Sequence, residues 1–225
     1  MIKNFVVTDS YIKGGSDYNA VISGTFRGTL MENIKVAESV TLKGAYANGG
    51  FAGMMSTNVE RKVSNCWFAG RIFGSEQTTG GILGRSYAGT NTIENCLVTG
   101  ELTSTHSDPR LAAYVGAADG SGTIKVKTSL ALAKLTTSYK KHVGDVIGKC
   151  TIAKEITNAY VSNTIQYTCT DTNAFDTTNT VGGTTIDKTL FSSKEAKQIV
   201  PKLFEGTNAW KAVAGSYPVL SWTMK

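Results

Sequence analysis

The sequence predicts an all-β fold, a parallel β-helix (β-solenoid) built from repeats of about 31 residues and closed by a small C-terminal capping segment. Three observations support this prediction. The 225 residues include 30 Thr and 24 Gly but only 3 Pro. Two short motifs recur about every thirty residues. Within each repeat, apolar and polar residues alternate, which is the period of a half-buried strand.

The composition argues against several other classes of protein. Charged residues make up 18% of the chain, below the roughly 25% of average globular proteins, and the Ala, Glu, Leu and Lys of helical bundles give way to Thr and Gly. No apolar run approaches the ~18 residues of a membrane helix, so we expect no membrane insertion. The net charge of +6 comes with a lysine-rich stretch between Ser121 and Lys154. That stretch lacks Arg, and we therefore expect no nucleic-acid partner.

The first motif is an apolar pair bracketed by glycines. It ends at Gly53, Gly84, Gly116 and Gly148, which are spaced by 31, 32 and 32 residues. Glycine adopts conformations that other residues avoid, so we expect these glycines to form corners of each coil.

The second motif begins with Asn and then alternates. Its copies start at Asn4, Asn33, Asn65, Asn95, Thr128 and Asn158, separated by 29, 32, 30, 33 and 30 residues. Asn tolerates the left-handed conformation, and its amide can hydrogen-bond to the equivalent residue one coil away. This column therefore predicts another corner.

Aligned copies of the second motif form apolar columns that predict the interior. They are Phe5, Ile34, Cys66, Cys96, Ser129 and Ala159; Val7, Val36, Phe68, Val98, Ala131 and Val161; and Tyr11, Val40, Ile72, Leu102, Leu135 and Ile165. Strands recurring in phase stack in parallel, about 4.8 Å apart, here as five to six coils over residues 2–168. Parallel crossovers are nearly always right-handed. We expect Cys66 and Cys96 to be free thiols on adjacent coils, because side chains in register point the same way.

The pattern changes after the repeats, so we divide the chain into a repeat domain, 1–168, and a C-terminal cap, 169–225. Residues 192–200 predict a short helix. A solenoid must cover the apolar end of its last coil, and this segment carries aromatic residues suited to the task. No spacing of Cys and His predicts a zinc site, and we expect neither a metal nor a cofactor.

Residues 79–102, TGGILGRSYAGTNTIENCLVTGEL, resemble the GLUG repeat of bacterial cell-surface proteins, and residues 49–72 match nearly as well. The segment from Trp210 to Trp222 is similar to the sequence that closes such arrays. The resemblance implies a secreted or wall-attached protein, of the kind seen in adhesin-like proteins and in non-catalytic N-terminal parts of IgA-protease-like enzymes. It also implies a monomeric fragment of a larger protein, with signal peptide and anchor outside this sequence, and a glycan or surface protein as partner.

One outward column is unusually apolar for the surface of a solenoid. It contains Val6, Lys35, Trp67, Leu97, Leu130 and Tyr160. If open, it could stack sugar rings or dock a protein, so the candidate ligand-binding residues are Trp67, Leu97, Leu130, Tyr160, Lys140 and Lys141. Alternatively, the tail or a neighbouring domain covers the column. We expect the tail to bury at least half of Trp67, leaving glycan binding to a neighbouring face or domain.

Catalysis is the alternative function, in the form of a polysaccharide lyase or hydrolase. The candidate residues are His106, Asp108, Arg110, Asp119, His142 and Asp145. They do not occupy matching columns, so nothing in the pattern places two carboxylates the ~5–9 Å apart that glycoside hydrolysis requires. We expect both histidines at the surface and no enzymatic activity.

Overall fold

The computed structural model describes residues 1–168, 177–186, 210–211, 213 and 219–224. It confirms the predicted parallel β-solenoid, with about six coils. Each complete coil passes in turn through four sheets, which we call A, B, C and D, and equivalent strands of neighbouring coils pair in parallel.

The strands follow in chain order. Coil 1 contains β1 (Ile2–Val7), β2 (Tyr11–Lys13), β3 (Asn19–Ala20) and β4 (Ser23–Thr25). Coil 2 contains β5 (Leu30–Val36), β6 (Thr41–Gly44), β7 (Asn48–Gly49) and β8 (Ala52–Met55). Coil 3 contains β9 (Glu60–Ser64) and β10 (Trp67–Phe68) in sheet A, then β11 (Arg71–Gly74), β12 (Thr79–Gly80) and β13 (Leu83–Ser86). Coil 4 contains β14 (Thr90–Glu94) and β15 (Leu97–Val98) in sheet A, then β16 (Glu101–Ser104), β17 (Leu111–Ala112) and β18 (Val115–Ala118). Coil 5 contains β19 (Thr123–Ala131), β20 (Lys134–Thr137), β21 (Val143–Gly144) and β22 (Ile147–Cys150), and coil 6 contains β23 (Ala153–Val161) and β24 (Thr164–Tyr167). The remaining elements are β25 (Thr184–Thr185), β26 (Trp210–Lys211), β27 (Val219–Leu220) and a 3₁₀ helix, Ser221–Met224.

The Asn column bends sheet A in the middle, and every coil adopts the predicted left-handed conformation there. The φ values are 66° at Asn4, 54° at Asn33 and between 44° and 53° in the other four coils. Asn33 Nδ2 donates to Asn4 Oδ1 at 2.9 Å, which is the expected bond from coil to coil. The first two apolar columns, which both follow the bend, point inward, as predicted. Cys66 and Cys96 are buried and unbridged on adjacent coils, also as predicted.

The glycine motif does not form corners of the coil. It forms a re-entrant segment in which a strand of sheet C enters the interior, turns, and leaves as a strand of sheet D. Residues at the turn, such as Phe51, Ile82 and Tyr114, belong to the core together with Phe68 of sheet A. None of the glycines that end the motif has a positive φ.

Close approach of the strands in sheets C and D explains these glycines instead. A Cβ on Gly49 would lie 1.9 Å from the oxygen of Ala52, and a Cβ on Gly80 would lie 2.1 Å from the oxygen of Leu83. Any larger residue would force the strands apart. Positive φ at the corner between sheets B and C belongs to non-glycine residues, namely Ala47, Thr78, Arg110 and His142.

The third predicted apolar column is wrong at Tyr11, whereas Val40 is buried in the core as predicted but is not the register partner of Ile72. Ile72 is in register with Leu42, and Leu42 with Ile12, whereas Tyr11 pairs with Thr41 and lies on the outer face, 63% exposed. The corners between sheets A and B are longer in coils 1 and 2 than in the later coils. A shift of one residue moves a strand side chain to the opposite face, so a constant corner length misplaced Tyr11.

Two described pieces of the C-terminal region pack on the solenoid. Residues 177–186 cross its C-terminal end: Val146 N and Ile147 N donate to Val181 O at 2.9 and 3.1 Å, and Ile186 N donates to Val161 O at 3.0 Å. Strands β26 and β27 pair antiparallel. The predicted helix at 192–200 lies outside the described residues. Within the part of the chain that is described, no helix is long and apolar enough to cross a membrane.

Candidate functional site

The apolar outward column is covered by the C-terminal region. The predicted register is confirmed, with Lys35, Trp67, Leu97, Leu130 and Tyr160 side by side on adjacent coils. A second apolar cluster unites this column with residues of the tail. Its buried members are Trp67, Ala69, Leu97, Leu130, Trp210 and Leu220, and Leu132, Tyr160, Ile186, Val219 and Trp222 pack against it.

Hydrogen bonds fix the two buried tryptophans of this cluster, Trp67 and Trp210. Trp210 Nε1 donates to Asn95 O at 3.0 Å, and Trp67 Nε1 donates to Thr99 Oγ1 at 2.9 Å. Trp67 is 8% exposed, with Lys35 Nζ 4.0 Å from its ring centroid. The expectation that Trp67 is at least half buried is therefore confirmed. A ligand could reach Trp67, Leu97 or Leu130 only if Trp210 and residues 219–222 moved away.

Lys140 and Lys141 lie elsewhere, between sheets B and C of coil 5. Lys140 Nζ is 5.6 Å from the ring centroid of Tyr167. The lysine-rich stretch as a whole is distributed over several faces, because Lys125 and Lys127 lie on sheet A, Lys134 on sheet B and Lys149 on sheet D. The structure thus does not bring the six predicted ligand-binding residues together on one surface.

Most of the candidate catalytic residues do meet, which the sequence pattern did not predict. Asp108 contacts His142 Nδ1 and accepts from Arg110 Nε at 3.2 Å. Arg110 Nη1 lies 3.7 Å from Asp119, which in turn accepts from Arg85 Nε at 2.6 Å. Since Arg110 and His142 share one column at the corner between sheets B and C, the fold places both side chains beside Asp108.

This charge cluster is largely closed to solvent. The side chains of Asp108, Arg110 and Asp119 are 15–17% exposed, and His142 is buried, contrary to the expectation that both histidines lie at the surface. Burial alone would raise the pKa of Asp108, but the hydrogen bond from His142 and the charge of Arg110 outweigh it, so this pKa is lowered. The Asp108 carboxylate is thereby held ionised beside Arg110, and Asp119 lies between the guanidinium groups of Arg85 and Arg110. This network connects the corner between sheets B and C to sheet D. A carboxyl group that acts as a general acid would need a raised pKa, which is the opposite of the change at Asp108.

A charged groove of about 740 Å³ lies on the outer face of sheet A, beside the Asn column. Its lysines face carboxylates on neighbouring coils: Lys62 Nζ lies 2.7 Å from Glu94, and Lys125 and Lys127 lie 2.8 and 2.7 Å from Glu155. Hydrogen bonds from these two lysines lower the pKa of Glu155 to about 2. The ion pairs of this groove are therefore internal to the protein.

A trough of about 430 Å³ lies on the outer face of sheet B. Lys13, Lys43 and Phe73 follow one another along it in register on coils 1 to 3, and Tyr11 lies beside them. Lys43 Nζ is 5.8 Å from the ring centroid of Tyr11 and 5.6 Å from that of Phe73. Sequence reasoning missed this face because it placed Tyr11 inside. The alternation of Lys43 and Phe73 with the buried Leu42 and Ile72 was the available signal.

In the described ranges, no group of three or more His, Cys, Asp or Glu side chains is arranged to hold a metal ion. Cys66, Cys96 and Cys150 are buried, and burial raises the pKa of the Cys66 and Cys150 thiols, which opposes the thiolate form that metals bind.

The fold and these faces define the chain as a parallel β-solenoid with re-entrant glycine-rich segments and an apolar row covered by its own tail. No family model and no curated protein matches the chain. Among solved structures, it is similar to the crystal structure of a putative immunoglobulin A1 protease from Bacteroides ovatus, at 1.30 Å resolution. The two chains are 20% identical with a TM-score of 0.65, and the match covers 98% of this chain and 75% of the other. At this identity the likeness concerns the fold.

Proposed function

We propose that the chain is a non-catalytic β-solenoid module of a bacterial surface or secreted protein, which binds an extended glycan along an open sheet face. Support for the location comes from the resemblance of residues 79–102 to GLUG repeats. The fold shared with a protein named as an immunoglobulin A1 protease is compatible with it.

The observation that carries the binding role is the pair of grooves on sheets A and B. Both lie along faces on which equivalent side chains repeat from coil to coil. Coils about 4.8 Å apart present such groups at nearly the rise of a sugar in an extended glycan. A linear polymer that runs across the coils can therefore meet an outward side chain of each coil at a nearly constant spacing.

The non-catalytic assignment rests on the charge cluster. Asp108 and Asp119 are each paired with a cation, and neither groove is lined by them. A glycoside hydrolase needs one carboxyl group with a raised pKa beside its substrate. The geometry therefore favours binding over the alternative of a polysaccharide lyase or hydrolase.

A glycan array probed with the full chain tests the binding role, and a reducing-end assay on the bound polysaccharides tests the alternative. We expect selective retention of one class of linear glycans and no release of reducing ends. Absence of glycan binding would leave the chain as a spacer, whereas release of reducing ends that Asp108→Asn abolishes would make it an enzyme.

A further inference from the structure

The trough on sheet B differs from the groove on sheet A in how its cations are balanced. Among the described residues, neither Lys13 nor Lys43 has a carboxylate within salt-bridge distance. The two lysines are moreover register partners on adjacent coils. Like charges placed directly opposite in a sheet are destabilising. The face thus keeps two adjacent positive charges that no carboxylate of the described residues neutralises.

Aromatic side chains flank these charges in the open. Tyr11 is 63% and Phe73 39% exposed. Hydroxyl groups of Ser75, Thr103 and Thr105 also line the trough. An exposed ring can stack on the C–H face of a sugar, a lysine can bind a carboxylate or sulfate, and hydroxyls can exchange hydrogen bonds with sugar hydroxyls.

We propose that Lys13, Lys43, Tyr11 and Phe73 form a binding site for an acidic polysaccharide that runs along the solenoid axis over sheet B. The proposal rests on the proposed function and adds the face and the chemical class of the ligand. Charge complementarity requires an anion. Arg71 also lies on this face, but its Nε is 3.6 Å from Glu101 Oε2, so its charge is already paired with a carboxylate. A site made of lysines and separate aromatic rings fits a polymer of carboxylated sugars better than a nucleic acid, because nucleic-acid sites usually contain arginine.

The test measures retardation of the full chain in gels containing polygalacturonate, with dextran as the neutral polymer and oligo-dT as the nucleic acid. We expect retardation by polygalacturonate alone, fading as NaCl rises from about 50 mM to about 500 mM. Lys13→Ala/Lys43→Ala should weaken binding by about tenfold or more, and Phe73→Ala by a smaller factor. Lys149→Ala/Lys154→Ala removes the same charge outside both grooves and should change binding less than about twofold. A single cooperative thermal transition well above the assay temperature establishes that each variant is folded.

Each other outcome overturns a defined part of the proposal. Equal weakening by the two double variants would show that net charge, and not this face, binds the polymer. Retention by dextran, or preference for oligo-dT, would reject the acidic glycan as ligand. If array glycans bind but polygalacturonate does not, or if binding survives the loss of Lys13 and Lys43, the sheet B site fails while the proposed function stands. If no glycan binds the wild-type chain, both fail.

Discussion

Replacing Gly84 by Ala should destabilise the fold, whereas replacing Gly15 by Ala should not. Gly84 lies where the re-entrant segment of coil 3 meets that of coil 2. An added Cβ would lie 2.6 Å from Ala47 C, 2.6 Å from Gly53 O and 2.8 Å from Ala47 O. All three are backbone atoms, so no side chain can rotate away to make room.

The expected cost follows from that geometry. Overpacking a core typically costs about 1–3 kcal/mol, and the upper end applies here because relief requires moving strands held in parallel ladders. For a chain of this size, a loss of about 3 kcal/mol corresponds to a fall of roughly 6–12 °C in Tm. Gly15→Ala is the matched control, because its Cβ meets nothing within 4 Å and its φ is not positive. We expect that variant to be unchanged or stabilised by about 0.4–1 kcal/mol.

Urea unfolding followed by far-UV circular dichroism measures both variants. A lower midpoint with an unchanged slope would identify a pure loss of stability. If the free energies of unfolding of Gly84→Ala and the wild-type chain differed by less than about 0.5 kcal/mol, the close approach of sheets C and D would not be the reason for the glycine motif.

Three further predictions concern the buried clusters. Trp67→Ala should lower the free energy of unfolding by about 3 kcal/mol or more, because it removes a buried side chain from the cluster under the tail. Phe73 is partly exposed, so Phe73→Ala should lower it by less than half of that. Equal losses would contradict the conclusion that the tail covers the outward column. Because the pKa of Asp108 is lowered in the folded state, its stabilising contribution is complete above the unfolded pKa near ~3.9 and is lost as pH falls through the folded value. Asp108→Asn should therefore flatten the acid limb of stability against pH, and an unchanged limb would assign it to other carboxylates. Cys66 and Cys96 should react with a thiol reagent only after unfolding, without reductant, and a peptide map showing a bridge between them would refute this.

The periodic part of the fold could be predicted because parallel stacking repeats one environment in every coil. Asn4 and Asn33 illustrate this, since both bend sheet A in the left-handed conformation and bond to each other. A column read from aligned repeats is then a direct statement about neighbours in space. The prediction failed where corner length changes, as at Tyr11, because alignment at constant spacing cannot register an inserted residue.

The charge cluster could not be predicted for a related reason. Six residues separate β16 from β17, whereas four separate β11 from β12. Because this connection is longer, Asp108 has no equivalent position in the neighbouring coils, and its side chain contacts His142 of the next coil. Asp119 is linked to the cluster by ion pairs with Arg110 and Arg85. Arg110 immediately precedes a strand of sheet C, and Arg85 lies on a strand of sheet D. Contacts between sheets C and D depend on how the coil folds back on itself, which periodicity does not encode.

The adjacent lysines of sheet B allow a last prediction, in which stability and binding change in opposite directions. Lys13 and Lys43 repel each other as register partners, so Lys13→Glu should replace the repulsion with an attraction worth about 0.2–1 kcal/mol. Lys3→Glu is the matched control in the same coil: Lys3 already faces Glu32, and the change should destabilise by a similar amount. Urea unfolding at low salt measures both effects, and high salt should remove them. Lys13→Glu should also abolish retardation by polygalacturonate, since the glycan would meet a carboxylate. A chain that became more stable while still binding the acidic polymer would show that the lysine pair is not kept for that ligand.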